Sequence, residues 1–217
     1  MKTIPVTPES AGAVAETAAC LLASGGVVVI PTDTVYGIAA HPAQAGAVAR
    51  VCASKGRAAD KPIALLAADL AAVRAFGATL PPAAERLAAA FWPGALTLIL
   101  PCGDGREEGF RVPAHAWTRS LLAACGGVLR VTSANPSGAA PAADAAAASR
   151  DVGLEADLVI DDGPAPGGVA STVVRVAADD QFAILRVGAI GEADIQRAAT
   201  PPEPRNAECG TRSICPQ

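Results

Sequence analysis

Short runs of β-branched or leucine-rich residues alternate with alanine-rich stretches of helical spacing along most of this chain, and that alternation limits the fold more than any other feature. Val27–Ile30, set between Gly25-Gly26 and Pro31, reads as a buried strand. Further strands are predicted over Ile63–Leu66, Leu96–Leu100, Phe110–Val112, Val128–Val131, Leu158–Ile160, Thr172–Val176 and Phe182–Arg186. Between them the spacing predicts helices. The first starts on a Thr7-Pro8-Glu9 cap and runs to about Ser24. The others cover Ala43–Ser54, Asp69–Phe76 with Asp69 as cap, Pro81–Phe91, His115–Cys125, Ala142–Arg150 and Ile190–Ala198. Elements that alternate without a repeated unit predict an α/β fold, a mixed sheet with helices packed on it. Aromatic residues make up 3% of the chain, so the core must be built from Ala, Val, Leu and Ile.

The chain has 217 residues, which suits one domain over 1–199 followed by a Pro-rich, aperiodic and flexible tail over 200–217. Its formal net charge of -4 does not favour a generic nucleic-acid coat, although a local basic cavity is allowed. No apolar run is long enough to span a bilayer, and the start MKTIPVTPES lacks the apolar centre of a signal peptide. The expected location is cytoplasmic, where cysteines are reduced. Cys20, Cys52 and Cys125 then read as small buried hydrophobes. Cys209 and Cys215 read as a chance pair in the tail, and neither His41 nor His115 has a partner at zinc spacing.

Four segments carry more polar and turn residues than a connection needs. Pro31-Thr32-Asp33-Thr34-Val35-Tyr36-Gly37 follows the first strand directly, and the carboxyl ends of strands are where α/β sheets place ligand contacts. It also reads as a turn whose Thr and Asp side chains bind their own backbone. Ser54-Lys55-Gly56-Arg57-Ala58-Ala59-Asp60-Lys61-Pro62 concentrates three cations suited to phosphate oxygens, or is a solvated loop. In Arg130-Val131-Thr132-Ser133-Ala134-Asn135-Pro136-Ser137-Gly138 a strand enters a hydroxyl-rich turn that can approach a ligand closely, or is a plain Asn-Pro turn. Gly167-Gly168-Val169-Ala170-Ser171-Thr172 enters a strand, and Arg186 ends the next one. The chain contains no Walker loop, no GxSxG elbow and no GxGxxG.

Taken in order, PTDTVYG, SKGRAADKP, WPGALTLIL, FRVPAH, VTSANPSG, STVV and LRVGAI resemble the threonylcarbamoyl-AMP synthase family in its short form, over roughly residues 10 to 195. The resemblance implies a YrdC-like fold: a twisted open mixed sheet, surrounding helices and a concave basic cavity. It also implies a nucleotidyltransferase that makes threonylcarbamoyl-AMP and pyrophosphate from L-threonine, bicarbonate and ATP with Mg²⁺. A tRNA threonylcarbamoyl transferase would then pass the group to adenosine 37 of tRNA, and a weak tRNA contact is allowed.

Residue by residue, Lys55, Arg57 and Lys61 match the basic triad for the ATP phosphates, with Lys55 and Arg57 catalytic. Ser133 and Asn135 match ligands of the nucleotide and the threonylcarbamoyl group. Thr34, Arg111 and Ser171 match positions that hold L-threonine, and Arg186 matches the arginine near the nucleotide. The chain departs from the pattern at Leu66, where many members carry a histidine, at Ala95 for a common Pro, and at Arg175 where an Asp is frequent. The alternative is a non-catalytic member of the same fold that binds a nucleotide or RNA. A related enzyme class that adenylates carbamoyl phosphate usually carries zinc-finger-like cysteine pairs, which this sequence lacks.

Overall fold

In the computed structural model, which describes residues 2–54, 63–136, 138–152 and 155–201, a single ten-stranded sheet organises the chain. In chain order the elements are β1 (Lys2–Pro5), α1 (Ala11–Ala23), β2 (Val27–Ile30), β3 (Gly37–Ala40), α2 (Ala45–Ser54), β4 (Leu65–Ala67), α3 (Leu70–Ala75), α4 (Pro82–Phe91), β5 (Leu96–Pro101), β6 (Glu107–Arg111), α5 (Ala116–Ala124), β7 (Val128–Ser133), α6 (Ala145–Val152), β8 (Leu158–Asp161), β9 (Thr172–Val176), β10 (Phe182–Arg186) and α7 (Glu192–Ala199). The strand order is β1-β8-β2-β3-β7-β4-β6-β5-β9-β10. Parallel pairs (β1/β8, β2/β8, β4/β6, β5/β9) occur together with antiparallel ones, so the sheet is mixed, as expected.

Packing divides the sheet into two halves. Around β2, helices cover both faces. Val28 and Ile30 pack with α1 and α5, while Val27 and Val29 pack with α2 and α6. Burial on both sides explains why β2 is apolar at every position. Around β5 the faces differ. Leu96, Leu98 and Leu100 are fully buried against α4 and its neighbours, whereas Thr97 and Ile99 line a cavity on the other side. The same two-residue period on β6 sends Glu108 and Phe110 away from the cavity and Glu107, Gly109 and Arg111 toward it.

The structure corrects several expectations. Thr7 does not cap α1: the Thr7 N–H donates to Ser10 Oγ (3.0 Å) and the Ser10 N–H to Thr7 Oγ1 (3.3 Å), closing a turn before the helix begins at Ala11. The helices expected from Ala43, Ala142 and Ile190 begin two or three residues later, α6 behind Asp144, whose carboxylate accepts the Ala147 N–H at 2.7 Å. The strand expected at Phe110–Val112 ends at Arg111 and starts at Glu107, and the one expected at Ile63–Leu66 is Leu65–Ala67. Strands β1 and β3 were not expected. Asp69 caps α3 as predicted, accepting the Ala72 N–H at 2.8 Å. Cys20 is exposed and Cys52 half-buried rather than buried, while Cys125 is buried as expected. The tail from residue 202 onward, with Cys209 and Cys215, lies outside the described residues.

Candidate functional site

The polar ends of several strands meet at a cavity of about 290 Å³. Thr34, Arg111, Ser133, Ser171 and Arg186 all line it. Two close approaches close its walls. A Cβ on Gly37 would sit 2.6 Å from Val131 Cγ1, so glycine is what lets β3 lie against β7 here. A Cβ on Gly188 would collide with the Ala170 carbonyl oxygen, and its absence brings the end of β10 against Ser171.

Arg111 forms one corner. It is 6% exposed, and its three nitrogens reach three partners. Nε donates to the Gly94 carbonyl (2.9 Å), Nη1 to Thr34 Oγ1 (2.7 Å) and Nη2 to Asp33 Oδ1 (2.6 Å). Burial draws the guanidinium below its usual range, and the Asp33 carboxylate opposes that effect. A guanidinium keeps its proton in proteins, so Arg111 stands as a cation with one carboxylate behind it. The Thr32–Tyr36 loop that supplies Thr34 is fixed from several sides. Thr32 Oγ1 donates to the Val35 carbonyl (2.6 Å) and accepts the Thr34 and Val35 N–H groups. Thr118 Oγ1 on α5 donates to the Pro31 carbonyl (2.7 Å). The Tyr36 hydroxyl, raised to about 12 chiefly by burial, donates to the Gly163 carbonyl (2.7 Å) and accepts the Asp162 N–H. His115 lies 3.3 Å through Nε2 from Asp162, and burial holds its imidazole below the ordinary value against the pull of that carboxylate.

Ser171 forms a second corner. Its Oγ lies 2.8 Å from Thr97 Oγ1, and both residues are 7% exposed. Arg186 Nη2 donates to the Ser171 carbonyl (2.8 Å) and stands 3.5 Å from its hydroxyl. Glu107 also lines the cavity, with its carboxylate accepting from Arg175 Nε at 2.8 Å.

The other predicted site residues are placed differently. Ser133 ends β7 in the cavity wall, but Asn135 is not among the lining residues. The Asn135 amide donates to the Pro136 (3.0 Å) and Ala139 (2.7 Å) carbonyls and so holds the turn itself. Lys55, Arg57 and Lys61 lie outside the described residues; Ile63 and Ala64, which follow them, line the cavity. Sequence reasoning passed over Thr97 and the pairing of Asp33 with Arg111. Thr97 could have been found as the hydroxyl residue in a leucine run, out of phase with Leu96 and Leu98. Among the described residues no group of three or more His, Cys, Asp or Glu could hold a metal ion.

The Sua5/YciO/YrdC family model, described as "Telomere recombination", matches residues 20–188. The chain is 35% identical over 194 residues to the threonylcarbamoyl-AMP synthase of Bacillus subtilis, covering 85% of this chain and 56% of that one. It is 35% identical over 187 residues to a putative threonylcarbamoyl-AMP synthase of Mycobacterium leprae, covering 82% and 84% respectively. The structure superposes on Pyrococcus abyssi Sua5 complexed with L-threonine with a TM-score of 0.82 at 29% identity, covering 91% of this chain and 60% of that one. The chain thus spans little more than half of the Bacillus subtilis relative and most of the Mycobacterium leprae one.

Proposed function

This chain belongs to the Sua5/YciO/YrdC family, and from that premise we propose that it joins L-threonine, bicarbonate and ATP into threonylcarbamoyl-AMP, releasing pyrophosphate. One observation carries the reading. The segments that hold Thr34, Arg111, Ser133, Ser171 and Arg186 are far apart in sequence, yet they converge on one cavity with a buried, paired guanidinium in its wall. The names of two relatives and the threonine-bound Pyrococcus abyssi structure support the choice of substrate.

In this reading the threonine carboxylate docks at the Arg111 and Ser171 corners. Three N–H groups of Arg111 are engaged by Gly94, Thr34 and Asp33, which leaves two of its five for a ligand. The threonine amine first joins the bicarbonate carbon with loss of water to give a carbamate, and the adenylate forms when a carbamate oxygen attacks the α-phosphate and pyrophosphate leaves, so no protein nucleophile is needed. Negative charge grows on the phosphates in that step. Preorganised cations are the efficient way to stabilise it, and removing one such contact typically costs about 3 kcal/mol of barrier. We assign that part to Lys55, Arg57 and Lys61, with Arg186 at the nucleotide side and Ser133 beside it. Asn135 acts by shaping the turn that presents Ser133.

The described residues do not offer a cage for Mg²⁺: the carboxylate in the cavity wall, Glu107, is bonded to Arg175. We place Mg²⁺ with the ATP phosphates as part of the substrate, since it keeps most of its waters there. The product would pass to a tRNA threonylcarbamoyl transferase for adenosine 37, and no helix among the described residues is long and apolar enough to cross a membrane. The test is the identity of what the chain makes. ATP, bicarbonate and L-threonine together should give threonylcarbamoyl-AMP and pyrophosphate. Pyrophosphate formed equally well without threonine or without bicarbonate would refute the reading, and stable nucleotide binding with no turnover would favour the non-catalytic alternative.

A further inference from the structure

We infer that Thr97 is a positioning residue for amino-acid binding: it sets the Ser171 hydroxyl as a proton donor into the cavity and thereby makes that corner select an anionic oxygen. The inference rests on the proposed function and deepens it.

Hydrogen-bond accounting leads there. A hydroxyl has one proton and two lone pairs. Thr97 Oγ1 and Ser171 Oγ are 2.8 Å apart, so one of them donates to the other. Arg186 Nη2, 3.5 Å from Ser171 Oγ, turns positive charge toward that oxygen and favours a lone pair facing it. If Thr97 supplies its proton to the second lone pair, the Ser171 proton is left for the cavity, which Ser171 lines. An acceptor there completes a chain, Thr97 to Ser171 to ligand, in which each bond polarises the next.

The Arg111 corner offers donors as well. Thr34 Oγ1 accepts from Arg111 Nη1 at 2.7 Å. Its neighbour Thr32 already donates its own proton to the Val35 carbonyl and accepts two backbone N–H groups. Thr34 Oγ1 also lies 3.0 Å from Thr32 Oγ1, and since Thr32 gives its proton to Val35, the Thr34 proton turns toward Thr32; the donors left for a ligand at this corner are the two remaining N–H groups of Arg111. Both corners offer donors, and of the groups of L-threonine the carboxylate is the one with acceptors alone. Thr97 faces the cavity on β5.

The experiment is calorimetric titration of L-threonine into the full chain, with melting temperature recorded for each variant. Thr97→Val and Thr97→Ala remove the hydroxyl with different packing, so a packing fault in one does not decide the outcome. Both should weaken L-threonine binding roughly fivefold to tenfold, while Thr97→Ser binds as the parent does. In a Ser171→Ala background the Thr97→Val change should have no further effect, because Thr97 acts through Ser171. In turnover the change should raise KM for threonine and leave kcat nearly constant. Unchanged affinity in both hydroxyl-lacking variants overturns the inference. So does a Thr97→Ser variant as weak as Thr97→Val, or a full additional loss in the Ser171→Ala background. Parent protein that binds no L-threonine would overturn the proposed function itself, and this inference with it.

Discussion

Strand β6 carries two buried ion pairs, three residues apart, that differ in how their donors are used. On the face turned from the cavity, Glu108 (5% exposed side chain) receives both ends of one guanidinium: Arg130 Nη1 at 2.6 Å and Nη2 at 2.8 Å. Arg130 Nη1 also donates to the Ile63 carbonyl at 2.7 Å. On the cavity face, Arg111 meets Asp33 through a single 2.6 Å bond and spreads its other contacts over the Gly94 and Thr34 segments. The first pair is a closed fork that matches a carboxylate with a guanidinium. The second is an open one, which holds a cation in place without using up its donors. Burial alone does not mark a site. A buried charge becomes one when its partners position it and leave hydrogen-bonding capacity facing empty space.

The comparison can be broken most forcefully at Glu108. Glu108→Ala leaves Arg130 buried without its carboxylate and should cost about 3–5 kcal/mol of stability, read by urea denaturation. Affinity for L-threonine in the folded fraction should stay within about twofold, because neither Glu108 nor Arg130 lines the cavity. If binding falls as steeply as stability, the two pairs are not separable. Arg111→Lys makes the opposite demand. A lysine keeps a charge beside Asp33 but cannot serve three segments and a ligand. Threonine-dependent kcat/KM should fall by about 1.5–3 kcal/mol, roughly tenfold or more, with less loss of stability than Glu108→Ala. A variant that melts early yet turns over normally would make Arg111 a structural arginine like Arg130.

The smallest expected effect sharpens how the Arg111 side is held. Burial lowers the pKa of His115 in the folded chain, so the unfolded chain takes up a proton first as the pH falls. The stability that the neutral imidazole lends is complete above about pH 6.5 and is lost as the pH drops below it toward the folded value. His115→Gln should flatten the part of the stability–pH curve below about pH 6.5, measured by thermal denaturation. An unchanged slope would mean that the Asp162 contact cancels the burial cost.

How much of this was legible in sequence follows from which forces are local. Strands β2 and β5 showed themselves as apolar runs, because burial selects residue by residue. Strand β3 did not: Gly37-Ile38-Ala39-Ala40 has mostly small residues, and its place is set by its register with β2 and β7. Strand β1, with Lys2 and Pro5, pairs in parallel with β8 at the sheet edge and owes its form to a partner about 150 residues away. At the site, the segments around Thr34 and Ser171 stood out as polar strand junctions, and the family resemblance singled out the two residues within them. Arg111 came from the family resemblance, and its Asp33 partner became visible when β6 met the loop after β2. Thr97 was hidden within a leucine run, although its phase on β5 gave it away once the cavity was known. Asn135 was read as a ligand, and its amide nitrogen bonds to the Pro136 and Ala139 carbonyls of its own turn.

The central claim is that the cavity between Arg111 and Ser171 takes L-threonine for activation by ATP. Mass spectrometry of the products formed by the parent chain from ATP, bicarbonate and an equimolar amino-acid mixture tests it most directly. The account predicts threonylcarbamoyl-AMP as the dominant adenylate, lost when bicarbonate is withheld. A different carbamoyl-amino-acid adenylate in its place, or ATP left intact, would contradict it.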